Sequence, residues 1–225
     1  MSVIEVTGLT RTFASPAGDV HALRDVGFRV EAGEFVALIG RSGSGKTTLL
    51  NCLGGLDRPT AGRIVIAGRD LGTLDDDGRT DLRRDAVAFV FQTFGLVPVL
   101  SAAENVELPL RLRRTAVPER RARVAELLEL VGLADHARQR PGELSGGQQQ
   151  RVAIARALAA SPAVLIADEP TGQLDSETGA QILALLHDLS RSTGMTMLVS
   201  THDASVRDRA DRVLTLLDGR LEPEA

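Results

Sequence analysis

The apolar residues of this chain occur mainly in short runs rather than in long alternating patterns. Residues 35–39 and 163–167 are both unbroken apolar runs, which is typical of strands buried on both faces of a parallel sheet. Weaker patterns predict further strands at residues 3–7, 20–30 (as one strand or two), 63–67, 86–91, 195–200 and 213–217. Together these segments predict an α/β protein built on a parallel sheet.

Helical spacing of apolar residues follows the first run and returns in the second half of the chain. A helix is predicted over residues 47–53, with its leucines on one face. Between residues 102 and 160 the spacing is helical and basic residues occupy the other face, the clearest apolar positions being Val124, Leu127, Leu128 and Val131. This region therefore indicates a helical insertion. A loop leading into a helix is predicted at residues 71–84, and another helix at residues 181–189.

The composition narrows the class of protein. The 225 residues are 43% hydrophobic and 25% charged, which suits one large globular domain or a core with a subdomain. A net charge of -4 gives no reason to expect nucleic acid as a partner. The single cysteine, Cys52, cannot form an internal disulfide and fits a reducing compartment. We expect no signal peptide, because residues 1–5 contain neither a basic region nor a long apolar core. We expect no membrane span over the uncharged stretch 86–103, because Gly95 and Pro98 interrupt it.

One strand-to-helix junction carries the strongest chemical signal. Residues 40–47 have the pattern Gly-x4-Gly-Lys-Thr, directly after the run 35–39. In such a loop the glycines let backbone N–H groups surround phosphate oxygens, while the lysine reaches the β and γ phosphates and the threonine can bind Mg²⁺. Lys46 is also the only lysine of the chain. The alternative interpretation is an ordinary tight turn between a strand and a helix.

Two carboxylates follow the other apolar run. Asp168 and Glu169 come at its carboxyl end, and ligands of a doubly wound sheet gather at the carboxyl ends of its strands. Asp168 can therefore hold Mg²⁺ through water, and Glu169 can orient and deprotonate an attacking water. The alternative is a solvated acidic turn.

A third feature opens the helix predicted over residues 149–160. Ser145 and Gln148 have the spacing of a capping box, which needs no function. Gly146 and Gly147 are less easily explained, because glycine costs about 1 kcal/mol relative to alanine inside a helix. Glycines and a serine at a helix N-terminus can seat an anion. The sequence therefore predicts two phosphate seats, far apart along the chain.

The order of these motifs resembles the nucleotide-binding subunit of ATP-binding cassette (ABC) transporters over essentially the whole chain. Residues 40–47 resemble the Walker A loop, Gln92 the Q-loop glutamine, residues 144–148 the LSGGQ signature, residues 164–169 the Walker B strand with its glutamate, residues 172–175 the D-loop, and residues 201–203 the switch-histidine segment. The resemblance implies an α/β P-loop NTPase fold with a RecA-like parallel-sheet core, an N-terminal antiparallel β-subdomain and an inserted α-helical subdomain. It also implies a single domain over residues 1–225, with the core at 1–92 and 161–225 and the helical subdomain at 93–160.

The same resemblance assigns site residues and ligands, with ATP as the nucleotide and Mg²⁺ as the metal. The implied catalytic residues are Glu169, His202 and Gln92, and the implied Mg²⁺ ligands are Thr47, Gln92 and Asp168. The implied nucleotide-binding residues are Phe13 (stacked on adenine), Gly40, Arg41, Ser42, Gly43, Ser44, Gly45, Lys46, Thr47, Thr48, Ser145, Gly146, Gly147, Gln148 and Asp175. For Phe13, a place in the hydrophobic core is the alternative.

Four stretches, residues 53–62, 89–92, 104–110 and 167–172, are similar to the lipoprotein-releasing and macrolide-export branch of that family. Gln173 and Arg41 depart from this branch, which usually has asparagine and a small residue or proline there. The resemblance implies a separate membrane permease as partner, a homodimer on ATP binding, and a cytoplasmic location peripheral to the inner face of the membrane. The alternatives are a cell-division-type cassette, a cassette ATPase acting in DNA repair or translation, and a P-loop kinase.

The loop 93–100 is strongly apolar although glycine and proline interrupt it. By the same resemblance it is the place where a permease helix docks, and Gln92 links it to the γ-phosphate. Alternatively, Phe94, Leu96 and Val97 pack the helical insertion onto the core.

Overall fold

A computed structural model describes residues 1–16, 18–201 and 206–223 of the chain. Within these ranges the strands are β1 Ser2–Phe13, β2 Val20–Glu31, β3 Phe35–Ile39, β4 Ala61–Ile66, β5 Arg69–Asp70, β6 Val87–Phe91, β7 Val164–Asp168, β8 Thr196–Thr201, β9 Arg212–Leu217 and β10 Arg220–Leu221. The α-helices are α1 Lys46–Leu53, α2 Asp76–Asp85, α3 Ala102–Leu112, α4 Val117–Leu130, α5 Gly146–Leu158 and α6 Ser176–Thr193.

The larger sheet is parallel apart from one short edge strand, as the unbroken apolar runs predict. Its order is β10-β9-β3-β8-β7-β6, and β10 pairs with β9 antiparallel. Phe91 of β6 lies opposite Asp168 of β7, and Asp168 lies opposite Ser200 of β8. The carboxyl ends of these strands therefore meet at one edge of the sheet, where the loops after β3, β6 and β7 also begin.

The smaller sheet is antiparallel, in the order β2-β1-β4-β5. Here the structure corrects the predicted end of β1, which runs on to Phe13 instead of ending at residue 7. The segment 20–30, predicted as one strand or two, forms a single strand, Val20–Glu31. Strand β1 pairs with both β2 and β4 through several register shifts. Pairing with β2 continues to Phe13, whereas pairing with β4 ends at Thr10. The neighbouring strands therefore extend β1 although residues 9–13 have a weak pattern of apolar residues.

Strand β3 explains why its apolar run is unbroken. Phe35 and Ala37 pack into a hydrophobic cluster with α3, α4, α5 and α6. Val36 and Leu38 point the other way, into a cluster with α1 and the antiparallel sheet. Both faces of this strand are therefore buried. Polar residues at alternate positions would place polar side chains in the core, away from water.

Helix α6 begins at Ser176, five residues before the predicted start at 181. Asp175 caps it by accepting a hydrogen bond from the Thr178 N–H at 2.9 Å, and this bond lowers the pKa of Asp175. The first five residues of the helix, 176–180, have no large apolar side chain from which helical periodicity could be detected. In the described part of the chain, no helix combines the length and the apolar character needed to cross a bilayer.

Candidate functional site

The loop between β3 and α1 is shaped by two glycines that admit no side chain. A Cβ atom on Gly40 would overlap the carbonyl oxygen of Leu216, and one on Gly45 would overlap that of Ala22. Gly45 also has φ 104°, in the left-handed region. No side chain caps the start of α1, so the N–H groups of its first turn remain available to an anion.

The Lys46 side chain is folded over this loop and is only 6% exposed. Its Nζ donates hydrogen bonds to the carbonyl oxygens of Gly40 at 2.9 Å and Arg41 at 3.3 Å. It also lies 3.4 Å from Oε1 of Glu169. The structure thus brings the predicted phosphate-binding lysine and the predicted base together across the end of the sheet.

A buried hydroxyl in the loop suits a phosphate ligand. Ser44 is 4% exposed, and its Oγ has no hydrogen-bond partner among the residues that the structure describes. A buried hydroxyl without a partner costs free energy, which a phosphate oxygen would recover by accepting its hydrogen bond. The remaining polar loop residues, Arg41, Ser42 and Thr47, are exposed, and Thr48 is half-buried.

Ser200 organises the two carboxylate residues, and sequence reasoning missed it. Its Oγ donates to Oδ1 of Asp168 at 2.6 Å and accepts a hydrogen bond from the Glu169 N–H at 3.0 Å. Glu169 has φ 45°, a left-handed conformation that a non-glycine residue keeps only when its surroundings impose it. A serine at the end of the otherwise mostly apolar segment 195–200 was the available signal.

Replacement of Ser200 by alanine is expected to lower the free energy of unfolding by about 1.5–3 kcal/mol, because it removes a hydrogen bond to an ionised carboxylate. Urea unfolding measures this loss. Ser190→Ala is the matched control: Ser190 is equally buried but donates to the neutral carbonyl oxygen of Met195 at 3.1 Å, so its loss should be about 1 kcal/mol. Equal losses in the two variants would contradict the proposed importance of the charged partner.

Helix α5 begins with the capping box that the sequence predicts. The Ser145 Oγ accepts from the Gln148 N–H at 3.3 Å, and the Gln148 Oε1 accepts from the Ser145 N–H at 2.9 Å. The glycines also have a packing role. A Cβ on Gly147 would lie 2.5 Å from Cγ2 of Thr178, and one on Gly146 would lie 3.2 Å from Cδ2 of Leu174. The pair therefore lets the start of α5 approach α6 and the segment just before it closely.

The two predicted phosphate seats do not meet within one chain. In the described ranges no hydrogen bond or ion pair joins residues 145–148 to residues 40–48; Gln148 instead contacts Nε2 of His136 through its Nε2, at 3.0 Å. The residues of the two seats are thus not joined to each other by polar contacts within the described part of one chain.

The other predicted residues lie in different settings. Gln92 is exposed at the end of β6, beside Gly172, where an added Cβ would lie 2.6 Å from the Gln92 Nε2. Phe13 is 38% exposed, so its ring is not a core side chain. Asp175 caps α6, as described above. His202 lies outside the described residues.

The oxygen donors at this edge suit Mg²⁺ bound together with phosphates. No cluster of three or more His, Cys, Asp or Glu side chains that could hold a metal is found among the described residues. Thr47 and Asp168 offer a hydroxyl and a carboxylate. Mg²⁺ commonly binds through one or two carboxylates plus the phosphates of a substrate and water, so the residues fit a metal that arrives with a nucleotide.

The loop 93–100 is held by two side chains from the helical region. Asn105, which is buried, bonds both the N–H and the carbonyl oxygen of Val97, at 2.8 and 3.2 Å. Arg156 of α5 donates to the carbonyl oxygens of Phe94 and Gly95, and burial lowers the pKa of its guanidinium. Leu96 packs on the hydrophobic cluster, as the core alternative predicted, whereas Val97 and Val99 are exposed.

An apolar groove lies beside this loop, and we call it the α3 groove. It encloses about 590 Å³ between α2, β6, α3 and α5. Its lining includes Phe89, Phe91, Leu108, Pro109, Leu112 and Arg156. The rings of Phe89 and Phe91 stack with centroids 5.3 Å apart, and Leu112 at the rim is 73% exposed. Exposed apolar surface of this kind is typical of interaction sites.

Three comparisons with known proteins all match this chain to ABC transporter proteins. The family model described as "ABC transporter" matches residues 23–172. The macrolide export ATP-binding/permease protein MacB of Rhodopseudomonas palustris is 51% identical over 218 residues, which are 97% of this chain and 33% of MacB. An uncharacterized ABC transporter ATP-binding protein of Methanocaldococcus jannaschii, MJ0796, is 47% identical over 99% of this chain and 96% of its own length. The chain thus spans a third of MacB and nearly all of MJ0796.

Solved structures of MJ0796 resemble this chain closely. A dimeric post-hydrolysis state bound to ADP and Pi has a TM-score of 0.90 at 45% identity, covering 99% of this chain and 97% of that one. A second dimeric structure has a TM-score of 0.91 at 46% identity with the same coverage.

Proposed function

Since the chain belongs to the ABC transporter family and is one of its ATP-hydrolysing cassettes, we propose that it drives a membrane permease of the lipoprotein-releasing and macrolide-export type. The observation that carries this proposal is the 51% identity to a third of the ATP-binding/permease protein MacB, along 97% of this chain. The α3 groove supports it, because a cassette that drives a permease needs an apolar surface on which to receive it. The chain would then be peripheral at the inner face of the membrane.

We assign the roles at the site as follows. Lys46 and the loop N–H groups bind the β and γ phosphates of ATP, with Thr47 and Asp168 toward Mg²⁺. Glu169 accepts the proton of the attacking water, and Gln92 orients that water and contacts Mg²⁺. His202, outside the described residues, would contact the γ-phosphate. The phosphates of ATP would compete with Glu169 for the Lys46 ammonium, which lies 3.4 Å from Oε1 of Glu169.

The second phosphate seat belongs, in this proposal, to the other subunit of a head-to-tail homodimer. The separation of residues 145–148 from the loop of the same chain supports it, as does the dimeric state of the two solved MJ0796 cassettes. Ser145 to Gln148 of one subunit would cover the γ-phosphate held by the other. Asp175, the last residue of the D-loop segment 172–175, would then act mainly by capping α6.

We further propose that residues 93–160 form a helical subdomain on a core of residues 1–92 and 161–225. The insertion leaves the carboxyl end of β6 and returns to the amino end of its parallel neighbour β7, so it forms the crossover connection between two adjacent strands. Arg156 ties the loop after Gln92 to α5, whose first residues carry the second phosphate seat. Movement of that loop would therefore be transmitted to Ser145 through one helix.

The α3 groove is the surface where we place a short helix of the permease. It lies beside the loop 93–100, and an apolar helix face fills an apolar groove. Leu96 packs inward, so a substitution there would not test the surface alone. Leu112 is exposed, so a charged substitution at this position should cost the free subunit little stability.

Leu112→Glu is expected to leave ATP hydrolysis by the isolated protein within about twofold of its original rate, since surface substitutions seldom change stability much. Co-purification with the permease should fall at least tenfold, because a charge would be buried in an apolar interface. A neighbouring gene for a four-span permease with a large extracytoplasmic domain would supply the partner for co-expression.

Leu130→Glu is the matched control, because Leu130 is a leucine of α4 that is 46% exposed and does not line the groove. Unchanged permease binding by Leu112→Glu, with the protein folded, would place the docking surface elsewhere. The absence of any permease partner would instead favour a cassette without a transport role.

A further inference from the structure

Arg11 lies between a carboxylate and an aromatic ring near the end of β1. Its Nε donates to Oδ2 of Asp57 at 2.9 Å, and its Nη2 lies 2.8 Å from Oδ1 of the same carboxylate. The guanidinium carbon is 4.2 Å from the centroid of the Phe13 ring. Arg11 and Phe13 are two residues apart on one strand and therefore share a face of the sheet. The arginine thus pairs with Asp57 and lies over one face of the Phe13 ring.

The carboxylate that holds Arg11 is itself anchored. The Asp57 N–H donates to the carbonyl oxygen of Asn51 at 3.2 Å, so Asp57 is tied to the end of α1. The loop that follows is bonded to β1, because the Thr60 N–H donates to the carbonyl oxygen of Thr10 at 2.8 Å. A bidentate pair of this kind fixes the plane of a guanidinium better than a single contact does.

Phe13 lies within reach of a nucleotide held by the phosphate loop. Phe13 pairs with Val20 across the hairpin. Two residues further along β2, Ala22 touches Gly45, because a Cβ on Gly45 would overlap the carbonyl oxygen of Ala22. Two residues of strand span roughly 7 Å, and paired strands lie about 5 Å apart. The backbone of Phe13 is therefore roughly 9 Å from Ala22, which touches the start of α1.

We infer that Arg11, held by Asp57, is a positioning residue that covers one face of Phe13 and presents the other face to the base of ATP. The inference rests on the proposed function, in which Phe13 stacks on adenine. A phenylalanine has no polar atom through which a hydrogen bond could orient its ring. Attraction between the guanidinium and the ring is what holds the half-exposed side chain in one place before the base arrives.

The experiment is calorimetric titration with ATP and, separately, with inorganic tripolyphosphate, both without Mg²⁺. Arg11→Ala is expected to weaken ATP binding by about 3- to 10-fold and to leave tripolyphosphate binding unchanged, because only the base uses the ring. Asp57→Asn should give a smaller loss in the same direction, and Arg11→Lys should recover part of it. In turnover assays the KM for ATP should rise while kcat stays within about twofold.

A double-mutant cycle separates positioning from a general structural role. Arg11→Ala added to Phe13→Ala should cause no further loss of ATP affinity, because Arg11 acts through the ring. The control is Arg63→Ala: Arg63 pairs with Asp70 at 2.7 Å in the same sheet and should affect neither ligand. Protection of the buried Cys52 thiol from alkylation verifies that each variant is folded.

The possible failures are distinguishable. If Phe13→Ala weakens ATP binding but no Arg11 or Asp57 variant does, the positioning role is wrong and the base site stands. If Phe13→Ala leaves ATP affinity unchanged, the base site assigned in the proposed function is wrong. Equal losses for ATP and tripolyphosphate in Arg11→Ala and Arg11→Lys, or additive losses in the cycle, would also overturn the positioning role.

Discussion

Glu169→Gln is expected to lower the rate of ATP hydrolysis by about 10²- to 10⁴-fold, the usual contribution of a general base, while ATP stays bound. Glutamine keeps the shape of the side chain but cannot accept the proton of water at neutral pH. It also cannot form an ion pair with Lys46, which lies 3.4 Å from the Glu169 carboxylate. The ammonium would then be freer for phosphate, so ATP affinity should be retained or should rise.

Single-turnover measurements with bound ATP test this directly, and size-exclusion chromatography with light scattering should show an ATP-loaded dimer that accumulates. Glu177→Gln provides the control, because Glu177 is an exposed glutamate in the first turn of α6. Turnover by Glu169→Gln close to that of the unmodified protein would exclude Glu169 as the base.

The second large effect concerns the two phosphate seats. Lys46→Ala is expected to abolish nucleotide binding, because it removes the buried ammonium at the centre of the loop. Ser145→Arg should leave ATP binding by the isolated monomer nearly intact and stop hydrolysis, since among the described residues no hydrogen bond joins Ser145 to the phosphate loop of the same chain. The Ser145 variant also loses a helix cap, at a cost of about 1 kcal/mol. Ser101→Arg is the matched control, because Ser101 caps α3 through an equivalent capping box.

Mixing the two inactive variants tests whether each ATP site is shared between two subunits or is formed by one chain. In a head-to-tail heterodimer, the loop of the Ser145 variant and the signature segment of the Lys46 variant form one intact site. Random pairing with independent sites would restore about a quarter of the original activity. Failure to recover activity at any mixing ratio, with both variants folded, would argue that each chain completes its own site.

The features that could be predicted from the sequence are those whose cause is local. The unbroken apolar run of β3 indicates burial on both faces. The glycines at residues 40 and 45, followed by Lys46 at the start of the helix, indicate a backbone that curves around an anion. The capping box at Ser145 is equally local. Each follows from a few adjacent residues, so pattern and structure agree.

The features that could not be predicted depend on partners distant in the sequence. Gly147 is small because Thr178 of another helix lies against it, and an isolated reading of residues 144–148 offers no sign of this. Ser200 becomes informative only when β8 pairs with β7 and its hydroxyl meets Asp168. The full length of β1 likewise depends on its two neighbouring strands, which compensate for a weak pattern of its own.

The setting of Lys46 also determines how the protein responds to amine-directed chemistry. Coupling reagents usually scatter labels over surface lysines, but here the sole lysine side chain is almost completely buried and its ammonium is bonded to two carbonyl oxygens. A buried amine held by hydrogen bonds is poorly accessible to such reagents. Tethering or tagging through amines would therefore spare the phosphate loop, and arginine, which supplies every other basic charge apart from histidine, gives such reagents no alternative side chain.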